Sequence, residues 1–395
     1  MLIFSILFLI YIMFSLSLIV DKFLMTNLEN LSLLYSLKEY EYILLAIGNC
    51  IPEFSTNLMS NLSGNNSIGL GAITGSGAFS ISLCFGIALL FNQNVNKKIY
   101  YRDSIIFIGI LFLLKFFIQA DGKINIYQIG TLILLWPIYI MLINLGNDIM
   151  GNNTNNDVII EMTEKNENNK NDFHEDESIS LIKNSNDFNF QENSNINLSQ
   201  IKNIFNFKFN KNFLFSLKVL FNIFYNSIEF IYSYILPVFP NYPIFSLFFS
   251  FLSIFIHSNI IIDLITYFSS ELKIEQSFLG STLISWGDNI GDLLNSIILA
   301  KNNKIELMIS SLIGGQITNM LICLAVPWGI NIIKNNILGN KINNITIEKC
   351  NFNNLILLTI ICMIVINIKG ILKSYILIGL YISYLLYEFF NNKIN

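Results

Sequence analysis

Apolar residues in this chain fall in long unbroken runs. They do not alternate as in a half-buried strand, nor do they recur every three or four positions as on a surface helix. The runs cover residues 1–21, 40–63, 67–92, 104–120 and 126–146, and then 244–268, 276–300, 305–333, 352–368 and 373–390. About 20 apolar residues in a helix cross a bilayer. The pattern therefore predicts an all-α polytopic membrane protein with about ten transmembrane helices. The first run, MLIFSILFLIYIMFSLSLIV, has no basic leader and no A-x-A cleavage site, so it is expected to be a retained first span and not a signal peptide.

The middle of the chain reads differently. Residues 147–212 are dominated by Asn, Glu, Asp, Ser and Lys and cannot bury enough apolar surface to fold alone. A disordered, solvated tether is the plain reading. Calcium sensing by Glu175, Asp176 and Glu177 is the sharper one, but the spacing of an EF-hand loop is missing. The next segment, 213–240, is apolar enough to span, yet it carries Lys218 and Glu229 and ends at Pro237 and Pro240. It is expected to lie along the interface as an amphipathic helix. The chain thus divides into a first half (1–146), the polar loop, the interfacial segment and a second half (241–395). Basic residues at the ends of the runs favour an outside N-terminus and a cytoplasmic loop.

Composition sharpens this picture. Hydrophobic residues make up 53% of the 395 and charged ones only 13%, about half the ~25% of soluble domains, which excludes a soluble globular protein. The net charge of −4 is a local effect, since 11 of the 27 acids lie between Asp148 and Glu192. No basic patch with interleaved aromatics is present, so nucleic acid is not an expected partner. The five cysteines form no CxxC and read as small apolar fillers.

Chemistry enters through an internal repeat. Gly48-Asn49-Cys50-Ile51-Pro52-Glu53 and Gly287-Asp288-Asn289-Ile290-Gly291-Asp292 share the form G-x-x-I-x-acid, and 287 − 48 = 239. Gly75-Ser76-Gly77-Ala78-Phe79-Ser80 and Gly314-Gly315-Gln316-Ile317-Thr318-Asn319 keep the same offset, 314 − 75 = 239. Transporter repeats of this kind are commonly inverted and meet near the bilayer midplane. Inversion needs an odd number of spans in each half and an even number between them, which five plus five satisfies only if 213–240 does not cross.

Glu53 and Asp292 then sit in apolar helices without a nearby Lys or Arg. A membrane carboxylate costs at least about 2.5–3.5 kcal/mol, so protons or bound cations must neutralise the pair. Asn49, Ser55, Thr56, Ser76, Ser80, Asp288, Asn289, Ser296 and Asn319 add oxygens. Many hard oxygens and two carboxylates suit Ca²⁺; the scarcity of His, Cys and Met disfavours a soft metal. The bland alternative is interhelical glue, with Gly75, Gly77, Gly314 and Gly315 merely allowing close packing. One such polar residue would fit that alternative; two equivalent carboxylates at one offset fit it poorly. Asp263 has no counterpart acid, because 263 − 239 = 24 and that residue is Leu24; a helix-end or packing role is expected.

These residues resemble the α-repeats of the calcium/cation antiporter superfamily. They are most similar to its cation/calcium exchanger branch, which includes the mitochondrial sodium/lithium/calcium exchanger and plant cation/calcium exchangers. That branch shows G-N-G-x-P-[DE] in its first repeat, and W-G-N-S-x-G-D followed by G-G-x-x-F-N-x-L in its second. The matching stretches are Gly48–Glu53, Trp286–Asp292 and Gly314–Leu321. Cys50 departs from Gly, Asp288 from Asn and Thr318 from Phe. The resemblance implies ten helices in two inverted five-helix repeats, and antiport of Ca²⁺ against a monovalent cation: Na⁺ first, Li⁺ or H⁺ otherwise. It implies Glu53 and Asp292 as chief ligands, with Asn49, Ser76, Ser80, Asp288, Asn289 and Asn319 auxiliary. Potassium-dependent relatives carry an acid where Asn319 stands, so potassium cotransport is not implied. Expected partners are the bilayer and the transported ions; no cofactor is expected.

Two rival readings share some of these features. A channel-like cation pore would move Ca²⁺ without flux coupling. An intramembrane aspartyl protease also uses two membrane carboxylates, but Asn289 stands where the first Gly of G-x-G-D belongs, and no Y-D or P-A-L occurs. No ATP-binding or phosphorylation motif is present, so ion gradients must supply the energy. Residues 1–20 lack Arg, unlike a mitochondrial leader. Mitochondrial inner membrane, other endomembranes and plasma membrane all stay open.

Overall fold

The computed structural model describes residues 2–35, 48–119, 122–150, 225–236, 238–239, 242–338, 344–346 and 352–391. Most of the polar loop, residues 213–224 of the following segment, and the start of the 40–63 run lie outside these. The chain divides into two compact units, Met1–Trp136 with Ser227–Asn395, and Pro137–Asn226. The second is described only at the end of one helix and the start of another.

The first unit is built from helices. α1 (Leu2–Leu18) passes through a π-helical turn (Ile19–Leu24) into α2 (Met25–Leu34) without a break. The apolar run ends near residue 21, yet the helix continues, and Lys22 pairs with Glu229 at 2.9 Å. α3 (Ile51–Leu62) and α4 (Asn66–Ala78) form a hairpin around Gly64, whose φ of 79° suits only glycine. A π turn (Phe79–Cys84) leads into α5 (Phe85–Phe91). α6 (Lys97–Gln119), β1 (Lys123–Asn125) and α7 (Ile126–Met150) follow.

After α8 (225–235) the second half begins with α9 (Pro243–Leu272). α10 (Gln276–Leu279), a π turn (Gly280–Ile284), α11 (Ser285–Asp288) and α12 (Ile290–Lys301) form one interrupted helix. α13 (Ile305–Thr318), a further π turn (Asn319–Cys323) and α14 (Ala325–Ile337) form the next. β2 (Asn344–Thr346), α15 (Phe352–Val365) and α16 (Leu372–Asn391) close the described chain. β1 and β2 pair antiparallel, Lys123 opposite Thr346, a small clip that the apolar pattern did not predict.

Among the described residues, four helices are long and apolar enough to cross a membrane: Phe4–Leu34, Asn66–Phe91, Pro243–Leu272 and Ile305–Ile337. Residues 126–142 and 352–365 are shorter apolar helices. The 66–91 helix is 83% buried over its most apolar window, against 39% for 243–272, so the former is central and the latter peripheral.

The helix directions follow from contacts. Gly71 faces Ser277 and Gly75 faces Ser281, so α4 and the 276–288 helix advance together and are parallel. α3 runs back along α4, with the Gly69 amide on Ser60 Oγ at 2.9 Å. The two G-x-x-I-x-acid helices are therefore antiparallel, as inversion requires. α3 in turn runs parallel to residues 319–337: Asn57 Nδ2 reaches the Cys323 carbonyl at 2.5 Å, and Asn331 Nδ2 the Asn61 carbonyl at 3.2 Å.

Of the 213–240 segment, residues 225–235 are helical. Tyr232 hydrogen-bonds His257 of α9 at 2.5 Å, and Glu229 takes the ion pair from Lys22. Asp263 is exposed on α9 among the described residues.

Candidate cation site

Both motif helices break at the same repeat position. Cys50 has φ −87° and ψ −2°; Asn289 has φ −99° and ψ 7°; and 289 − 50 = 239. Each break starts a new helix in the protein interior. Glu53 and Asp292 consequently lie in the first turns of α3 and α12, where the unpaired N–H groups and the helix dipole favour negative charge. Pro52 fits this first turn because its missing N–H would have had no partner there.

The neighbouring helices deliver neutral oxygens. Asn289 Oδ1 accepts the Ser76 hydroxyl at 2.9 Å and the Ser80 hydroxyl at 3.0 Å. Its Nδ2 donates back to the Ser285 carbonyl at 2.7 Å, which fixes the amide's orientation. Gln316 Nε2 donates to Ser80 at 3.0 Å, and its Oε1 lies 3.1 Å from the Ser76 hydroxyl. Asn319 Nδ2 reaches Glu53 Oε1 at 3.3 Å. Asp288 and Asp292 both lie within electrostatic reach of Glu53, and Thr56 lies against Asp288. Glu53, Ser76, Ser80, Asn289, Gln316 and Asn319 are all buried.

Three acceptor oxygens in this cluster have no hydrogen-bond donor among the described residues: Glu53 Oε2, Asp288 Oδ2 and Asn319 Oδ1. Leaving such an atom dry costs about 1–3 kcal/mol, and more if it is charged. The segments 48–80, 276–300 and 305–333 contain no Lys or Arg. Among the described residues no three His, Cys, Asp or Glu side chains converge as a tight resident-metal cage. The arrangement is a mixed set of carboxylate, amide and hydroxyl oxygens short of positive charge, which suits a hard cation that must also leave.

Most of the residues singled out in the sequence meet here. Asn49 does not: it is exposed, one residue before the break. Asp288 and Asp292 are half-buried. Ser55 turns to Ser258 of α9 at 2.6 Å, and Ser296 to its own helix at the Leu293 carbonyl. Gln316 was missed. It sits three residues before Asn319 on the same helical face, a spacing that could have flagged it. The π turns starting at Phe79 and Asn319 are also near-equivalent (319 − 79 = 240) and sit where such turns often mark functional sites.

The family model described as "Sodium/calcium exchanger protein" matches residues 4–144 and 242–390. Human "Sodium/potassium/calcium exchanger 5" is 30% identical over 88 residues, 22% of this chain and 17% of that protein. Human "Sodium/potassium/calcium exchanger 3" is 28% identical over 138 residues, 34% of this chain and 21% of that protein. The chain thus matches about a fifth of the length of these curated relatives. Two solved structures share the fold: native YfkE, with a TM-score of 0.56 and 12% identity over 98% of this chain and 92% of that one, and the H⁺/Ca²⁺ exchanger CAX, with a TM-score of 0.51 and 12% identity over 96% and 86%.

Proposed function

Because the chain belongs to the sodium/calcium exchanger protein family, we propose that it is a secondary active antiporter moving Ca²⁺ against a monovalent cation by alternating access, with Na⁺ as the leading counter-ion and Li⁺ and H⁺ the others. The observation that carries this is the trio of buried, donorless oxygens on Glu53, Asp288 and Asn319, at the meeting point of two antiparallel broken helices. A bound cation satisfies these acceptors together and neutralises the carboxylates among them. Glu53 and Asp292 balance a divalent ion, and Ser76, Ser80, Asp288, Asn289 and Asn319 complete its oxygen shell. The inverted pair supplies two routes to one site, related by a pseudo-two-fold rotation, as alternating access needs. Relatives are named for potassium as well, but Asn319 is neutral, so potassium is not required here.

The test is ⁴⁵Ca²⁺ uptake into proteoliposomes with imposed Na⁺, Li⁺ or H⁺ gradients, with and without K⁺. Uptake is expected only with a counter-ion in the trans compartment. Equal uptake without one would mean a pore. Asp288→Asn leaves exchange in place, because it removes the third acid of the cluster and not one of the two that balance the ion. The Ca²⁺ affinity is expected to fall by less than about tenfold, with a changed preference among the counter-ions; complete loss of transport would put Asp288 among the chief ligands.

A further inference from the structure

The two helix breaks are held by different chemistry. At Asn289 an amide joins Ser285, Ser76 and Ser80. At the equivalent position stands Cys50, whose carbonyl oxygen accepts the Cys323 Sγ–H at 3.4 Å. The two cysteine side chains are also close enough to interact electrostatically, and both residues are buried. By the repeat offset Cys323 matches Cys84, since 323 − 84 = 239, but Cys84 would face Asn289, so the second half has no such pair. Cys50 precedes Glu53 by three residues, and Cys323 follows Asn319 by four. On these parallel helices the Cys50–Cys323 and Glu53–Asn319 contacts therefore cross, and both join the start of α3 to the same π turn.

We propose that Cys50 and Cys323 are a modification site: a hydroperoxide oxidises them to a disulfide that shuts the cation site. The sulfur of one cysteine attacks the peroxide O–O bond, forming a sulfenic acid and releasing water. The second sulfur then displaces a further water from the sulfenic acid. Two thiols and one hydrogen peroxide give one disulfide and two waters. The bond takes the thiol proton off the Cys50 carbonyl and ties the start of α3 to the π turn that carries Asn319. The Glu53–Asn319 contact is then held at one separation and cannot open for an ion. Because both cysteines are buried, oxidant enters only with the water that fills the site when it opens. Saturating Ca²⁺, which holds the site closed, slows the reaction. The transport consequence rests on the antiport reading above; the pairing itself does not.

The full-length protein in proteoliposomes is reduced, treated with hydrogen peroxide and quenched with maleimide. It is then split for peptide mass spectrometry and ⁴⁵Ca²⁺ exchange. A linked peptide joining Cys50 to Cys323 is expected. The initial exchange rate is expected to fall at least about tenfold and to return with dithiothreitol. Cys50→Ser and Cys323→Ser, each compared with its own untreated rate, are expected to resist peroxide; if one fails to fold, the other decides. No linked peptide in transport-competent protein overturns the proposal, and so does a linked peptide with undiminished exchange. Equal peroxide loss in both variants does the same. If untreated protein exchanges no Ca²⁺ at all, the antiport reading fails, while the linked peptide still decides the pairing.

Discussion

Glu53→Gln is expected to abolish Ca²⁺ transport while the protein stays folded and inserted, and Asp292→Asn to do the same. Each change keeps the side-chain shape and one carbonyl oxygen but removes one of two charges facing a divalent ion. At 4 Å and an effective dielectric constant of about 20, a single unit-charge pair is worth about 4 kcal/mol, close to a thousandfold in affinity. For Glu53 the local geometry strengthens the case, since among the described residues Oε2 has no donor, while Oε1 accepts the 3.3 Å amide of Asn319. Stability is not expected to fall, because a membrane carboxylate without its ion is a cost that the amide relieves. If Glu53 were interhelical glue, the outcome would invert: weakened folding with transport retained. Flux and thermal unfolding on the same purified variant separate the two. Near wild-type ⁴⁵Ca²⁺ exchange in folded Glu53→Gln protein would sink the site assignment.

Much of this site was legible in the sequence, for a physical reason. A charged residue in an apolar run is costly, so its presence carries information that a core leucine does not. The 239-residue offset then turned two such residues into a pair. The helix breaks seen in the structure follow the same offset, since Cys50 and Asn289 obey it to the residue. Side-chain direction was not legible. Asn49 and Ser76 looked alike as oxygen donors, yet a helix turns 100° per residue, and the break at Cys50 leaves Asn49 exposed while Ser76 reaches Asn289. Gln316 was overlooked because its role depends on which helices meet, which no single-helix pattern reveals. The length of the first helix was misjudged for a similar reason: Asp21 and Lys22 end the apolar run, but Glu229, more than 200 residues away, supplies the partner that lets Lys22 remain in the helix.

The glycines divide in the same way, and one yields a strong test. Gly75, Gly77 and Gly315 read alike in the sequence, but only Gly75 is pressed against backbone. A Cβ there would lie 2.2 Å from the Ser281 carbonyl oxygen and 2.5 Å from the Ser281 Cα. At Gly77 the nearest atom would be a Leu355 methyl at 3.3 Å, and at Gly315 nothing lies within 4 Å. Gly71 and Gly280 complete the contact: a Cβ at either would lie 2.3 Å from the Ser277 carbonyl oxygen or 2.4 Å from that of Ile68, respectively. Such small-residue seams let membrane helices approach to backbone distance. Gly75→Val must therefore push two main chains apart, since neither can rotate away as a side chain would. Overpacking usually costs about 1–3 kcal/mol, and a backbone obstruction belongs at or above the top of that range. The shift also reaches the site, because Ser76 is the next residue and its 2.9 Å bond to Asn289 crosses the same seam. Gly75→Val is expected to lower the unfolding temperature in detergent markedly and to cut ⁴⁵Ca²⁺ exchange with it. Gly315→Ala, which gains helix propensity and meets open space, is expected to leave both unchanged or slightly raised. A Gly75→Val protein as heat-stable as the wild type would mean that α4 and the 276–288 helix do not pack at backbone contact.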